Sequence, residues 1–238
     1  MTKLIENNSI LKNLPREFSS SELLIFDSMR FAFELIDHSY SQLTSALLKI
    51  SNDNPNRNTP AIFGYAWSII DNAVRLANIC KQLPWENESE IVGHLHYLKE
   101  FRHTHQHLDE RINESLLKTE TPFFGVISWV YKYPNSEDFD LFQLVSGNVI
   151  FGPNAKQTVP DLTNSNKELN TIRIHSVNRK AELIETDLDE IIDNLKNLAN
   201  ELERRLKLFC EEKNISPINW KSRQDIVLRI KPERKKKE

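Results

Sequence analysis

Residues 101–112 read Phe-Arg-His-Thr-His-Gln-His-Leu-Asp-Glu-Arg-Ile and hold three of the chain's seven histidines together with two arginines. Histidine titrates near neutrality, so it gives and takes protons, while arginine carries a permanent planar cation that grips two phosphate oxygens. His103 and His107, four apart and beside Arg102, therefore fit proton transfer at a phosphate. That chemistry needs a base for the attacking hydroxyl, an acid for the leaving oxygen and a cation for the charge that develops between them. The same spacing can also direct two imidazoles at one metal ion, with Glu100 or His96 a turn away. Against that, only Glu100-Phe101-Arg102-His103 supplies the Glu-x-x-His spacing of a bundle metal site, and the adjacent arginine repels a cation.

These side chains need a helix beneath them. Ile91, Leu95, Leu98, Phe101, Leu108, Ile112 and Leu116 keep helical spacing and predict a helix from the polar start at residues 87–90 to about Lys118. At 100° per residue its polar stripe carries His96, Glu100, His103, His107 and Glu110 or Arg111. His94 and His105 fall on the neighbouring apolar stripe with Leu98, Phe101, Leu108 and Ile112, and read as core-edge histidines.

Two helices precede it. Ser19-Ser20-Ser21-Glu22 supplies hydroxyl caps before an apolar series from Leu23 to Leu48, and the segment 53–60, with two prolines, breaks that series. Residues 61–83 are apolar nearly all round and predict the most buried helix. After Pro122 the pattern becomes aromatic and β-branched over 123–133, 139–151 and 171–184, which predicts three or four strands of an antiparallel meander, with a polar loop at 153–170. From Thr186 the helical period returns, with Leu188, Ile191, Leu195, Leu198, Leu202 and Leu206 as its stripe. The expected fold is a single mainly α domain of α+β type. Residues 20–118 and 186–214 make a four-helix bundle, 122–184 insert a small antiparallel β-sheet, and 229–238 form a basic tail that either frays or touches RNA phosphates.

Composition narrows the function. A length of 238 residues, 39% hydrophobic and 27% charged, is ordinary for a globular protein that buries its core without staples. A net charge of -3 argues against a surface built throughout for nucleic acid and leaves room for a local basic patch. Cys80 and Cys210 sit on apolar helical faces and read as buried thiols of a reducing compartment. The N-terminal residues show no leader-like apolar run, and no stretch approaches the roughly 20 apolar residues of a membrane span, so the expectation is a cytoplasmic protein without membrane contact. Phosphate-binding loops, dinucleotide fingerprints, Cys-x-x-Cys pairs and Gly-x-Ser-x-Gly elbows are missing. Phe123, Phe124, Trp129, Tyr131 and Tyr133 could stack exposed bases, although core packing is the commoner use of such residues.

An arginine, a polar residue and, four positions further on, a histidine form the pattern of the HEPN superfamily, which Arg102, His103 and His107 match. Over residues 60–118 the chain resembles bacterial helical HEPN-type proteins, with Asp71-x-x-x-Arg75-Leu76 on the preceding helix and His107-x-Asp109-Glu110-Arg111 closing the motif. The resemblance implies a metal-independent endoribonuclease in which Arg102 holds the scissile phosphate, His107 moves the proton and His103 orients one of them. It makes Asp71, Arg75, Glu110 and Arg111 supporting residues, with Asp71 and Arg75 bracing the motif through an ion pair. It implies RNA as substrate, a homodimer whose two motif helices share one site, and a protein inhibitor of toxin–antitoxin type, with no cofactor and no resident metal. The alternatives are a non-catalytic RNA- or protein-binding module and a His/Glu metal-binding bundle.

Overall fold

The computed structural model describes residues 3–15, 17–52, 58–83, 92–147, 162, 166–215, 225, 227 and 229. The first helix, α1 (Ser20–Ser51), begins at a capping box. Glu22 N–H donates to Ser19 Oγ at 3.3 Å, and Ser19 N–H donates to the Glu22 carboxylate at 2.8 Å. Its inward face buries Phe33, Ile36, Leu43 and Leu47 completely. The second helix, α2 (Thr59–Cys80), starts where Asn58 Oδ1 accepts from Ala61 N–H, packs along α1 and buries Ile62, Phe63, Trp67, Ile69, Ile70 and Leu76. Cys80 and Cys210 are both buried and are not joined in a disulfide.

The third expected helix is not continuous. Its expected start at 87–90 lies outside the described residues. A 3₁₀ turn at Gly93–Leu95 precedes α3 (Leu98–Gln106), which ends at His107 with φ −124° and ψ 31°. The chain resumes as α4 (Leu108–Arg111), passes through a π-helical turn at Ile112–Leu116 and closes as α5 (Leu117–Thr119). The break re-phases the segment. Arg111 turns inward to 1% exposure and Ile112 turns out to 40%, the reverse of a straight wheel. His94, ahead of α3, is exposed rather than at the core edge, because the regular helix does not reach it.

Four antiparallel strands form one sheet: β1 (Val126–Lys132), β2 (Phe139–Val145), β3 (Leu169–Val177) and β4 (Leu183–Asp187), in the order β2-β1-β3-β4. Phe123 and Phe124 precede β1 in a turn instead of extending it, and Leu169 and Asn170 belong to β3 instead of the expected loop. Of that loop, residues 153–161 and 163–165 lie outside the described residues, as do 148–151 of the second expected strand. One sheet face carries Ile127, Trp129, Tyr131, Ile172 and Ile174 into the same buried cluster as α1, α2 and the last helix. Trp129 Nε1–H donates to Ser51 Oγ at 2.9 Å and Tyr131 OH to Asn52 Oδ1 at 3.0 Å, pinning the sheet to the end of α1.

The last helix, α6 (Leu188–Glu212), starts two residues later than expected. Thr186 pairs with Ile174 across the sheet, and the Asp187 carboxylate caps the helix by accepting from the Asp189 and Glu190 N–H groups. Its stripe from Leu188 to Leu206 packs on β3 and α2. The N-terminal segment adds buried Leu4, Ile5, Ile10, Leu11 and Leu14, held where Leu4 N–H meets Asp37 and Ile10 N–H meets Glu203. The architecture is therefore mainly helical α+β. Of the basic tail at 229–238, only Arg229 is among the described residues. No helix among them is long and apolar enough to cross a membrane.

Candidate functional site

Asp71 lies two turns from the C-terminal end of α2 and meets α3. Its Oδ2 accepts from Arg75 Nη2–H at 2.8 Å, the intrahelical pair that the four-residue spacing predicts. Its Oδ1 lies 2.8 Å from Arg102 Nε, an ion-pair contact without the alignment of a hydrogen bond. One carboxylate thus faces two arginines. The terminal nitrogens of Arg102 have no partner among the described residues, and about a quarter of its side chain is exposed.

His107 stands at the break, closing α3 and opening α4. Its Nδ1 pairs with Glu110 Oε1 at 3.1 Å, three residues on, which leaves Nε2 without a partner among the described residues. The exposed His103 ring meets it, with centroids 4.6 Å apart and planes at 54°. Losing helical geometry at His107 has not separated the two imidazoles. Arg111 is different from what the wheel predicts: it is buried, paired with Glu114 and 4.0 Å from Glu110, while Glu114 also lies 3.6 Å from Arg179 in the β3–β4 turn. It anchors the segment under the site instead of facing solvent.

His105 keeps its expected core-edge place. Its ring stacks on Trp67 at 4.5 Å and 13°, and burial pushes its pKa down against the opposing pull of Asp71. Beside it opens a cleft of about 930 Å³ between α2, α3 and the start of the sheet, lined by Phe63, Gly64, Trp67, His105, Phe123 and Phe124 among others. Its volume falls within the range of about 300–1,000 Å³ usual for small-ligand sites. Of the five aromatics that could stack bases, Trp129 and Tyr131 are core, whereas Phe123, Phe124 and Tyr133 remain exposed.

His96 and Glu100 do not join His103 and His107: among the described residues no three His, Cys, Asp or Glu side chains gather at metal-binding distances. One constellation had no signal in the linear order. Ser128 Oγ lies 2.8 Å from His175 Nε2, and His175 Nδ1 lies 3.3 Å from Glu185 Oε2, across β1, β3 and β4. The order of contacts is that of a hydrolase triad, but Ser128 is fully buried in mid-strand, out of reach of substrate. It is a hydrogen-bonded chain tying three strands. No protein-family model matches the chain, and no curated protein or solved structure matches it significantly.

Proposed function

We propose that the chain is a HEPN-like, metal-independent endoribonuclease centred on Arg102 and His107. One observation carries the reading. Each of the two groups is braced from behind by a carboxylate, Arg102 at Nε by Asp71 and His107 at Nδ1 by Glu110, with its front edge unpaired among the described residues. A guanidinium held at Nε offers its two terminal nitrogens to two phosphate oxygens, and an imidazole held at Nδ1 offers Nε2 to a proton. In the reaction the 2′-hydroxyl gives its proton to His107 Nε2 as its oxygen bonds to phosphorus. The P–O5′ bond breaks, the 5′-oxygen collects a proton from solvent, and a 2′,3′-cyclic phosphate remains. Arg102 stabilises the charge on the crowded phosphorus. His103 holds the His107 ring in place, Arg75 adds positive charge, and Arg111 supports the segment. A homodimer with the motif helices facing each other, and a protein inhibitor, are the partners that accompany this reading.

A second reading is a non-catalytic RNA- or protein-binding module, favoured by the compensation of Arg102's charge by Asp71 and by the opening of the aromatic cleft at His105, not at His107. Incubation of a labelled RNA pool with purified protein in EDTA separates the two. The nuclease gives cleavage that disappears in both Arg102→Ala and His107→Ala; intact RNA with folded wild type selects the binding module.

A further inference from the structure

The cleft beside His105 is walled before any ligand arrives. Trp67 Nε1–H donates to Phe124 O at 3.2 Å, Phe124 N–H donates to Ser146 Oγ at 2.9 Å, and Ser146 Oγ–H donates to Gly125 O at 3.0 Å. The Phe123–Phe124 turn is thereby fixed to α2 and to the residue that follows β2. Phe123 and Phe124 keep 37% and 41% of their surface exposed, with rings in edge contact at 5.0 Å. The floor is open at Gly64, where an added Cβ would meet nothing within 4 Å. No carboxylate lines the cleft among the described residues.

The floor also leads somewhere. Gly64, Trp67 and Asp71 follow one another along a single face of α2, and Arg102 precedes His105 by three residues on α3. One helical turn beyond the Trp67–His105 stack, about 5.4 Å along the axis, lies the Asp71–Arg75–Arg102 cluster. An aromatic cleft, without a carboxylate among its described lining residues, thus opens beside two arginines sharing one aspartate, an arrangement complementary to a planar base attached to an anionic backbone.

The geometry points to this cleft as the seat of an unpaired nucleobase of single-stranded RNA, slotted over Gly64 against Phe123 and Phe124, with its phosphate at Arg102 and Arg75. The inference rests on the assignment of Arg102 as the phosphate-holding group. It names the substrate class: a base that is free to leave its stack. Every base offers a π face, so stacking selects for single-strandedness more than for sequence. A base inside a duplex is already stacked on both faces and does not enter.

The test uses a short fluorescein-labelled strand of 2′-O-methyl ribonucleotides, which lacks the attacking hydroxyl, with binding read by anisotropy and cleavage read on the unmodified strand. Gly64→Leu fills the cleft from a helical position with open space and better helix propensity, so the fold tolerates it. Binding about tenfold weaker in Gly64→Leu, with a similar loss in Phe124→Ser and for the fully paired duplex on wild type, is the expected result. Equal binding by wild type and Gly64→Leu overturns the base cleft, even where wild type still cleaves. Binding lost in Gly64→Leu without any cleavage by wild type supports the cleft and overturns the nuclease. A wild type that binds no single strand overturns the base cleft, and one that also leaves the unmodified strand intact overturns the nuclease as well.

Discussion

Asp71 lies 2.8 Å from Arg102 across two helices and hydrogen-bonds Arg75 on its own helix, so a single carboxylate sets where the site's arginine stands. With Asp71→Asn the anchor loses its charge and Arg102 samples other rotamers. Cleavage is expected to fall about tenfold, roughly 1.4 kcal/mol in the barrier. Stability is expected to change by less than about 1 kcal/mol, since these are half-exposed pairs in high dielectric. Steady-state cleavage and thermal melts, run side by side, check this. A large loss of stability with unchanged cleavage means that Asp71 is only a structural brace.

Glu110→Gln probes the other brace. Glutamine preserves length and an acceptor oxygen but no longer complements a charged imidazole at Nδ1. Cleavage is expected to drop by about tenfold, within the range of general acid–base effects, with little change in RNA affinity. A pH–rate profile identical to that of wild type argues that Glu110 does not act through His107.

His175 gives the fold a pH dependence. Burial is the main cause that lowers its pKa, opposed by Glu185 and aided by Arg173. Its folded value therefore lies below the ordinary imidazole value of about 6.5. As pH drops under that value the unfolded chain takes up a proton that the native ring resists, so this contribution to stability is present above about pH 6.5 and declines on acidification. His105 acts in the same direction. Asp37 and Asp187, pushed up by burial, act in the opposite sense. The informative comparison is thus between proteins: between pH 7 and 5.5 the melting midpoint of His175→Gln is expected to fall less than that of wild type. Parallel curves rule out His175 as a contributor.

Two glycines should respond in opposite directions. Gly125 has φ +83°, and a Cβ there would sit 2.2 Å from the His175 carbonyl oxygen. Gly125→Ala is expected to destabilise by at least ~2 kcal/mol, combining the left-handed conformation with a backbone clash. Gly64→Ala, in an open helical position, is expected to stabilise by up to ~1 kcal/mol. Urea titrations of both variants measure the difference, and coincident midpoints would contradict it.

The helices α1 and α2 were legible because their signals are local: the Ser19–Glu22 box and the long apolar period act within a few residues of themselves. The interruption at His107 was not, since His-Leu-Asp carries no glycine or proline and the break serves a tertiary demand, turning Arg111 and Leu116 inward. The N-terminal segment gives no local signal for a similar reason. It has no period of its own and is held by Asp37 and Glu203, the latter nearly two hundred residues away. Strand register alone brings Ser128, His175 and Glu185 together. In the candidate site, the Asp71–Arg75 pair follows from spacing, whereas the grip of Asp71 on Arg102 needs the packing of α2 on α3. The cleft is a product of three elements that converge from different parts of the chain.

The most direct measurement is single-turnover cleavage of a labelled single-stranded RNA in EDTA by wild type, Arg102→Lys and His107→Gln, with the product ends identified. The nuclease reading expects wild type to leave 2′,3′-cyclic phosphates, and both variants to be slowed about a hundredfold or more at unchanged melting temperature, because lysine lacks the planar fork and glutamine cannot take the proton. Intact RNA with folded wild type, or variants that cleave as fast as wild type, would contradict it.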